Sequence, residues 1–151
     1  MRPGDEVPDF ELPDQDGNPR RLSTLLAGGP VVLFFYPVAG SGGCTQESCH
    51  FRDLGAEFAA AGAQRVGIST DSVARQKRFS DANGFDYPLL SDESGDVARI
   101  FDVKRRLGPA PVKRKTFVIG TDARIVEVIS SEFSMDKHAD EALKAMATLR
   151  G

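Results

Sequence analysis

The chain has 151 residues, of which 40% are hydrophobic and 27% charged, with a net charge of −3. That length suits one domain with a single core, and the composition excludes a disordered or low-complexity chain. The basic residues are scattered, so neither nucleic acid nor an anionic membrane surface is an expected partner.

Residues 1–20 are rich in Pro, Gly and Asp. They read as an extended lead-in with apolar positions at Phe10 and Leu12 and a short hairpin around Asp16-Gly17-Asn18. Residues 21–27 read as a strand end followed by one helical turn capped by Ser23. Residues 31–36, Val-Val-Leu-Phe-Phe-Tyr, are continuously apolar, which predicts a strand buried on both faces. This run, the longest strongly apolar one, is far too short to cross a bilayer. Pro37 ends the strand, because proline has no N–H for a central ladder. A turn of small residues (38–43) then leads into a helix expected to begin near Cys44. Its apolar positions Phe51, Leu54 and Phe58 recur at helical spacing, and Gly62 marks its end.

Residues 65–69 predict a second buried strand, and 72–83 a polar helix stopped by Gly84. A short strand (87–90) and a short helix (95–101) follow. Residues 116–119 and 125–129 predict two strands joined as a hairpin by Gly120-Thr121-Asp122-Ala123. A final helix over 136–149 turns Ala139, Leu143, Met146 and Leu149 inward. Alternating β and α elements with a late hairpin predict an α/β fold, a central mixed sheet flanked by helices. That order suits a thioredoxin-like architecture. No internal repeat or linker is visible, so residues 1–151 are expected to be one domain.

The start, Met1-Arg2-Pro3-Gly4-Asp5-Glu6, lacks the basic-then-apolar pattern of a secretory signal, and a cytoplasmic location is expected. In that compartment two cysteines point to transient redox chemistry or metal binding rather than a permanent staple. Both lie in the segment Pro37-Val-Ala-Gly-Ser41-Gly-Gly-Cys44-Thr-Gln-Glu47-Ser-Cys49, directly after the central strand, where open parallel sheets place their ligand sites. A cysteine at a helix N-terminus faces unpaired N–H groups and the positive end of the macrodipole. Such positions can depress a cysteine pKa from ~8.5 by one to several units. Gly42 and Gly43 leave room for a small molecule to approach the sulfur.

The spacing of the two thiols is informative. Residues five apart in an ideal helix are separated by about 7.5 Å of rise and roughly 140° of rotation, so their Cα atoms lie about 8–9 Å apart. A disulfide needs less than ~7 Å. If Cys44 and Cys49 bridge, the helix between them must unwind. The alternative is that both are small apolar fillers, which buried cysteines often are.

At this point the sequence resembles the peroxiredoxins, and within them the Q-type group, the bacterioferritin comigratory proteins of the AhpC/TSA-like thiol peroxidases. The family signature is a proline, three residues, Thr or Ser, two residues, then the peroxidatic cysteine. It is matched by Pro37, Ser41 and Cys44. The Q-type pattern Cys-Thr-x-Glu-x-Cys is matched by Cys44-Thr45-Gln46-Glu47-Ser48-Cys49. A distant arginine before a strand is matched by Arg114-Lys115-Thr116-Phe117-Val118-Ile119. The opening Gly4-Asp5-Glu6-Val7-Pro8-Asp9-Phe10-Glu11-Leu12 is also similar.

The resemblance implies that Cys44 attacks the peroxide O–O bond and becomes a sulfenic acid, while Arg114 and Ser41 hold the peroxide oxygens. It implies that Pro37 shapes the pocket, with Gly43 and Thr45 in support. Cys49 would resolve the sulfenic acid as an intramolecular disulfide, reduced in turn by thioredoxin or a similar dithiol. No metal, flavin or haem is required. A monomer, or a weak non-covalent homodimer, is expected. Two departures stand out: Ser41 where the family usually has Thr, and Gly42 where it has Pro. The lost rotamer restraint and the looser turn predict a lower rate or easier unwinding.

Glu47 reads either as a helix residue that complements the dipole or as a group that orients the site. His50 next to Cys49 raises a Cys/Cys/His metal site, one ligand short of a closed zinc centre. His138 reads as a surface residue of the last helix. In the basic run Lys113-Arg114-Lys115 only Arg114 has a motif-based role. Asp71 and Asp92 read as helix caps or turn formers. A general disulfide oxidoreductase and a redox sensor are the competing readings. The four-residue spacer between the cysteines argues against the first, since direct dithiol exchange favours a closer pair.

Overall fold

The five consecutive apolar residues Val31–Phe35 form strand β3, and all five are buried. In the computed structural model, which describes residues 1–105, 111–131 and 134–150 (the side chains of 149 and 150 excepted), β3 is the centre of a five-stranded sheet. Strands β4 (Gln64–Ser69) and β5 (Leu89–Ser91) run parallel on one side of it. Strand β6 (Lys115–Ile119) pairs antiparallel on the other side and carries β7 (Ile125–Ser130), giving the order β5-β4-β3-β6-β7. This is the mixed α/β sheet that the element order predicts.

Side chains alternate along β3, so its two faces feed two cores. Val31, Leu33 and Phe35 pack with Leu22 and Leu26 of helix α1 (Leu22–Leu26) and with Val97 and Ala98 of α5 (Asp96–Ile100). Val32 and Phe34 face the opposite side. There they meet Phe51 of α2 (Gly42–Asp53), Phe58 of α3 (Gly55–Ala60), Phe79 of α4 (Val73–Asn83), and Ala139 and Met146 of α6 (Lys137–Arg150). Cys44 belongs to this second core. Phe34 stacks on Phe51 with ring centroids 4.1 Å apart, which seats α2 on the central strand. Among the described residues no helix is long and apolar enough to cross a membrane.

The predicted hairpin is present as β1 (Glu11–Pro13) and β2 (Pro19–Arg21). Its turn is held by Asp14, which accepts from the Asp16 and Asn18 amides and from Arg20 Nε. Burial alone would raise the Asp14 carboxyl, but Arg20 and the two amides outweigh it and hold it below its ordinary value.

Three local expectations are corrected. Ser23 does not cap α1: it lies inside the helix, and its N–H and hydroxyl both donate to the Asp9 carboxylate at 2.9 Å. A charged acceptor from the lead-in does the work assigned to Ser23. The helix predicted to run unbroken to Gly62 starts earlier, at Gly42, and ends at Asp53; α3 follows. The break has a cause in Arg65 of β4, whose guanidinium donates to the Phe51 carbonyl at 3.0 Å and forms a two-pronged pair with Asp86. A β-carbon on Gly55 would stand 3.3 Å from that guanidinium, so this glycine leaves room for it. Strand β5 starts at Leu89, because Pro88 offers only its carbonyl, taken by the Gly67 amide at 3.0 Å. The predicted inward Leu149 lies outside the described side chains; Ala142, not predicted, is fully buried.

Close packing across β4 makes Gly67 intolerant of enlargement. A β-carbon there would come within 2.8 Å of Leu89 Cδ2, 3.0 Å of Phe34 Cζ and 3.1 Å of Tyr36 Cε1. Overpacking costs ~1–3 kcal/mol, and a domain of this size loses ~2–4 °C per kcal/mol. Gly67→Ala is therefore expected to lower the melting midpoint by about 2–12 °C in a circular-dichroism melt. An unchanged midpoint would contradict the packing.

Candidate active site

The site is built where β3 ends. Tyr36 continues the pairing through its amide to Ile68 O at 3.1 Å, and its hydroxyl donates to Gln76 Oε1 at 2.5 Å. Burial pushes the Tyr36 phenol well above its ordinary value, so it stays protonated. Pro37, half-buried, opens the turn. Asp71, buried just beyond β4, accepts from the Ala39 amide at 2.7 Å and from Ser69 Oγ at 2.8 Å, which holds the turn in shape. The turn-forming role expected for Asp71 is found here. Asp92 likewise accepts from the Val97 and Ala98 amides at the start of α5.

Ser41 leaves the turn with extended geometry (φ −67°, ψ 156°) and is the N-cap of α2. Its Oγ accepts from the Cys44 amide at 3.4 Å, a long and weak cap. Gly42 and Gly43 form the start of the helix, and Cys44 is its third residue, fully buried. Thr45 donates its amide to Ser41 O at 2.8 Å and lines an open cleft with Ala39, Gly40, Phe79 and Asn83.

Glu47 stands one helical turn beyond Cys44, so both side chains project from one face. Facing them is Arg114, buried, from the segment that enters β6. Its Nη1 donates to Glu47 Oε1 at 2.9 Å and its Nη2 to Cys44 Sγ at 3.3 Å. Burial by itself would pull the guanidinium pKa down. The Glu47 carboxylate and the Cys44 sulfur outweigh that and hold it above its ordinary value. A permanent positive charge therefore touches the sulfur, next to the N-terminus of α2. Glu47 is therefore paired with Arg114 inside the fold rather than exposed on the helix surface.

The expectation for His138 is corrected. It is fully buried, with Nδ1 2.8 Å from Thr116 Oγ1 and Nε2 2.8 Å from the Ser131 carbonyl. Its place was legible after all: His138, Ala142 and Met146 recur every four residues on the face of α6 that packs inward. Met135 was also missed. Its Sδ and Arg114 Nη2 lie 3.3 and 3.4 Å from where a β-carbon on Gly43 would stand, so the thioether covers the start of α2 beside the guanidinium.

Cys49 is half-buried on the same intact helix, and both thiols are free. Its Sγ faces Asn83 Oδ1 at 3.6 Å. The three residues considered as metal ligands point to different partners: Cys44 to Arg114, Cys49 to Asn83, and His50 to Asp140 at 2.9 Å. Among the described residues no group of three or more His, Cys, Asp or Glu is arranged to hold a metal. Cys44, Arg114, Glu47 and Ser41 are thus brought together; Cys49 is held apart, and Pro37 joins them through the turn.

A buried cysteine in contact with a fixed guanidinium, in the first turn of the helix after the central strand of a thioredoxin-like sheet, defines a cysteine-based redox enzyme. Residues 3–128 match the AhpC/TSA family, and the chain belongs to that family, the peroxiredoxins, as a thiol-dependent peroxidase. It is similar to the crystal structure of the peroxidoxin BcpB from Mycobacterium tuberculosis, with 61% identity and a TM-score of 0.96 over 100% of this chain and 99% of that one. The chloroplastic peroxiredoxin Q of Sedum lineare is 38% identical over 97% of this chain and 78% of its own length. A structure of the Xanthomonas campestris bacterioferritin comigratory protein, studied for alkyl peroxide reduction, is 31% identical with a TM-score of 0.85, covering 94% and 92% of the two chains. Peroxide is the substrate of this family and a thiol its reductant.

Charge-assisted hydrogen bonds contribute ~1.5–3 kcal/mol, which sets the scale for Arg114. In a Cys49→Ser background, Arg114→Gln is expected to slow alkylation of Cys44 by iodoacetamide at neutral pH by about tenfold or more. Gly43→Ala, which crowds Arg114 and Met135, should act in the same direction to a smaller extent. Equal alkylation rates in all three proteins would contradict the assignment.

Proposed function

We propose that Cys44 is the peroxidatic nucleophile, Cys49 the resolving thiol, and Arg114, Ser41 and Pro37 the groups that receive the peroxide. The observation that carries this reading is the Arg114 guanidinium shared between Glu47 and the Cys44 sulfur. The Cys44 thiolate attacks one peroxide oxygen, and the O–O bond breaks. Cys44 becomes a sulfenic acid, and the departing oxygen leaves as an alkoxide or hydroxide that takes a proton to become alcohol or water. Arg114 and the weakly engaged Ser41 hydroxyl donate to the oxygens as charge develops on them, and Pro37 screens the sulfur from water. Glu47 keeps the guanidinium in place, while Gly43 and Thr45 shape the approach.

Resolution requires α2 to open between the two cysteines. The second half of the helix is the firmer: Tyr87 donates to Ser48 O at 2.6 Å, Arg52 to Asn83 O at 2.6 Å, and Arg65 to Phe51 O at 3.0 Å. The first turn has the weak Ser41 cap and two glycines. Unwinding there carries Cys44 toward Cys49, whose thiol attacks the sulfenic sulfur to form the disulfide and release water. A thioredoxin-like dithiol then supplies two electrons and two protons. Organic hydroperoxides are the favoured substrate class, in line with the alkyl peroxide activity of the Xanthomonas relative. The whole chain is read as one domain that works in the cytoplasm as a monomer or weak homodimer.

A disulfide map by mass spectrometry after one equivalent of peroxide is expected to show an intramolecular Cys44–Cys49 bond. Cys49→Ser should keep the first oxidation and lose the disulfide, whereas Cys44→Ser should lose both. Disulfides only between chains would overturn the role of Cys49.

Gly42 offers a second test. It is the first helical residue, an added β-carbon there meets nothing within 4 Å, and Ser41 already has the extended geometry that precedes proline. Gly42→Pro is expected to stabilise the fold by ~0.4–1 kcal/mol. It should also slow disulfide formation while leaving sulfenate formation unchanged, as read by quenched-flow mixing with mass spectrometry of the sulfenate and disulfide forms. Faster disulfide formation would contradict opening at the first turn.

A further inference from the structure

His138 is a buried imidazole that the proposed chemistry does not use, and its surroundings link it to the sulfur. It sits near the start of α6 and touches three separate elements around the site. Nδ1 meets Thr116 Oγ1 on β6, two residues beyond Arg114, and Nε2 meets the Ser131 carbonyl on the connection that leaves β7. Nε2 also stands 3.6 Å from Glu47 Oε2 on α2. A carbonyl oxygen only accepts, so Nε2 carries a proton in every ionisation state of the ring. That N–H dipole lies beside the Glu47 carboxylate, whose other oxygen takes the Arg114 guanidinium. Among the described residues, Glu47 on α2 stands beside the imidazole, and behind it come Arg114 and Cys44; His50 pairs instead with Asp140.

We propose that His138 is a positioning residue for the peroxidatic step, orienting Glu47 from behind so that Arg114 meets the Cys44 sulfur. This rests on the reading of Cys44 as the peroxidatic thiol. The order of contact is His138, Glu47, Arg114, Cys44, every member buried. The imidazole also ties Thr116 to the Ser131 backbone, fixing the β6 end of the same unit. Without it, the Glu47 carboxylate can rotate and share the guanidinium less directionally, and the Arg114–sulfur contact loosens.

The test compares two substitutions that keep different halves of the ring's hydrogen bonding. The amide of His138→Gln reaches the position of Nε2 and can donate to Ser131 O and toward Glu47. The shorter amide of His138→Asn reaches only the position of Nδ1. Both are measured in the Cys49→Ser protein for the rate of Cys44 oxidation by hydrogen peroxide, for the pH dependence of Cys44 alkylation, and for the melting midpoint. His138→Asn is expected to lower the oxidation rate about tenfold and to move the alkylation curve to higher pH. His138→Gln should recover most of both. In a Glu47→Gln background His138→Asn should have little further effect on rate, because the two residues act through one path.

A His138→Asn protein that melts lower but keeps the parent rate and alkylation curve overturns the proposal and leaves a structural histidine. Independent, additive losses from Glu47→Gln and His138→Asn overturn it as well. If His138→Asn does not fold, His138→Gln is read with and without Glu47→Gln; any rate loss that persists undiminished in that background overturns the proposal. The parent Cys49→Ser protein separates the two levels. Slow oxidation of Cys44 there removes the peroxidatic reading and the proposal with it, whereas fast oxidation that is indifferent to position 138 removes only the proposal.

Discussion

Everything at this site depends on one buried guanidinium. Arg114 is almost wholly withdrawn from solvent, and a charge in that position is tolerable only if its partners replace water. Glu47 supplies the compensating charge, and Cys44 supplies the second acceptor. The two acceptors lie three residues apart on α2, one turn of helix, so two nitrogens of one planar group can serve both only while that turn is formed. The electrostatics of the sulfur and the folding of the first turn are therefore one property. A thiolate gives Arg114 an anionic partner and rewards the closed helix. In the proposed cycle, oxidation to the neutral sulfenic acid would remove that anion and weaken the grip at the stage when Cys49 is to reach the sulfur.

The rest of the fold divides α2 into a fixed part and a yielding one. Phe51 stacked on Phe34 and the side chains of Tyr87, Arg52 and Arg65 hold the second half against the sheet and its neighbours. The turn that feeds the first half is shaped by Asp71, while the helix start carries a 3.4 Å cap, two glycines and the Arg114 contact to Cys44. Met135 covers that start from the β7–α6 connection.

Much of this was legible in the sequence because the signals were local. Six apolar residues at 31–36 called for a doubly covered strand, and Ser41, Cys44 and Glu47 carried their meaning in spacing along one helix. Arg114 was found through its motif, although its partner at the sulfur is 70 residues away. Effects decided by distant side chains were harder to read. Asp9 displaced Ser23 as the acceptor at α1, and Arg65 cut the predicted long helix in two by taking its last carbonyls. His138 looked like one polar residue among the charged ones of α6, yet its four-residue spacing to Ala142 and Met146 placed it on the buried face. Met135 carried no periodic signal, since it belongs to a connection and is positioned by what it covers.

If Arg114 and the start of α2 make Cys44 a dedicated reductant of peroxides, its sulfur reacts with them far faster than an ordinary thiol does. Stopped-flow measurement of Cys44 oxidation by hydrogen peroxide and by an alkyl hydroperoxide in the reduced protein tests it most directly. A second-order rate constant orders of magnitude above that of free cysteine is expected, abolished in Cys44→Ser. Oxidation no faster than that of free cysteine would contradict it.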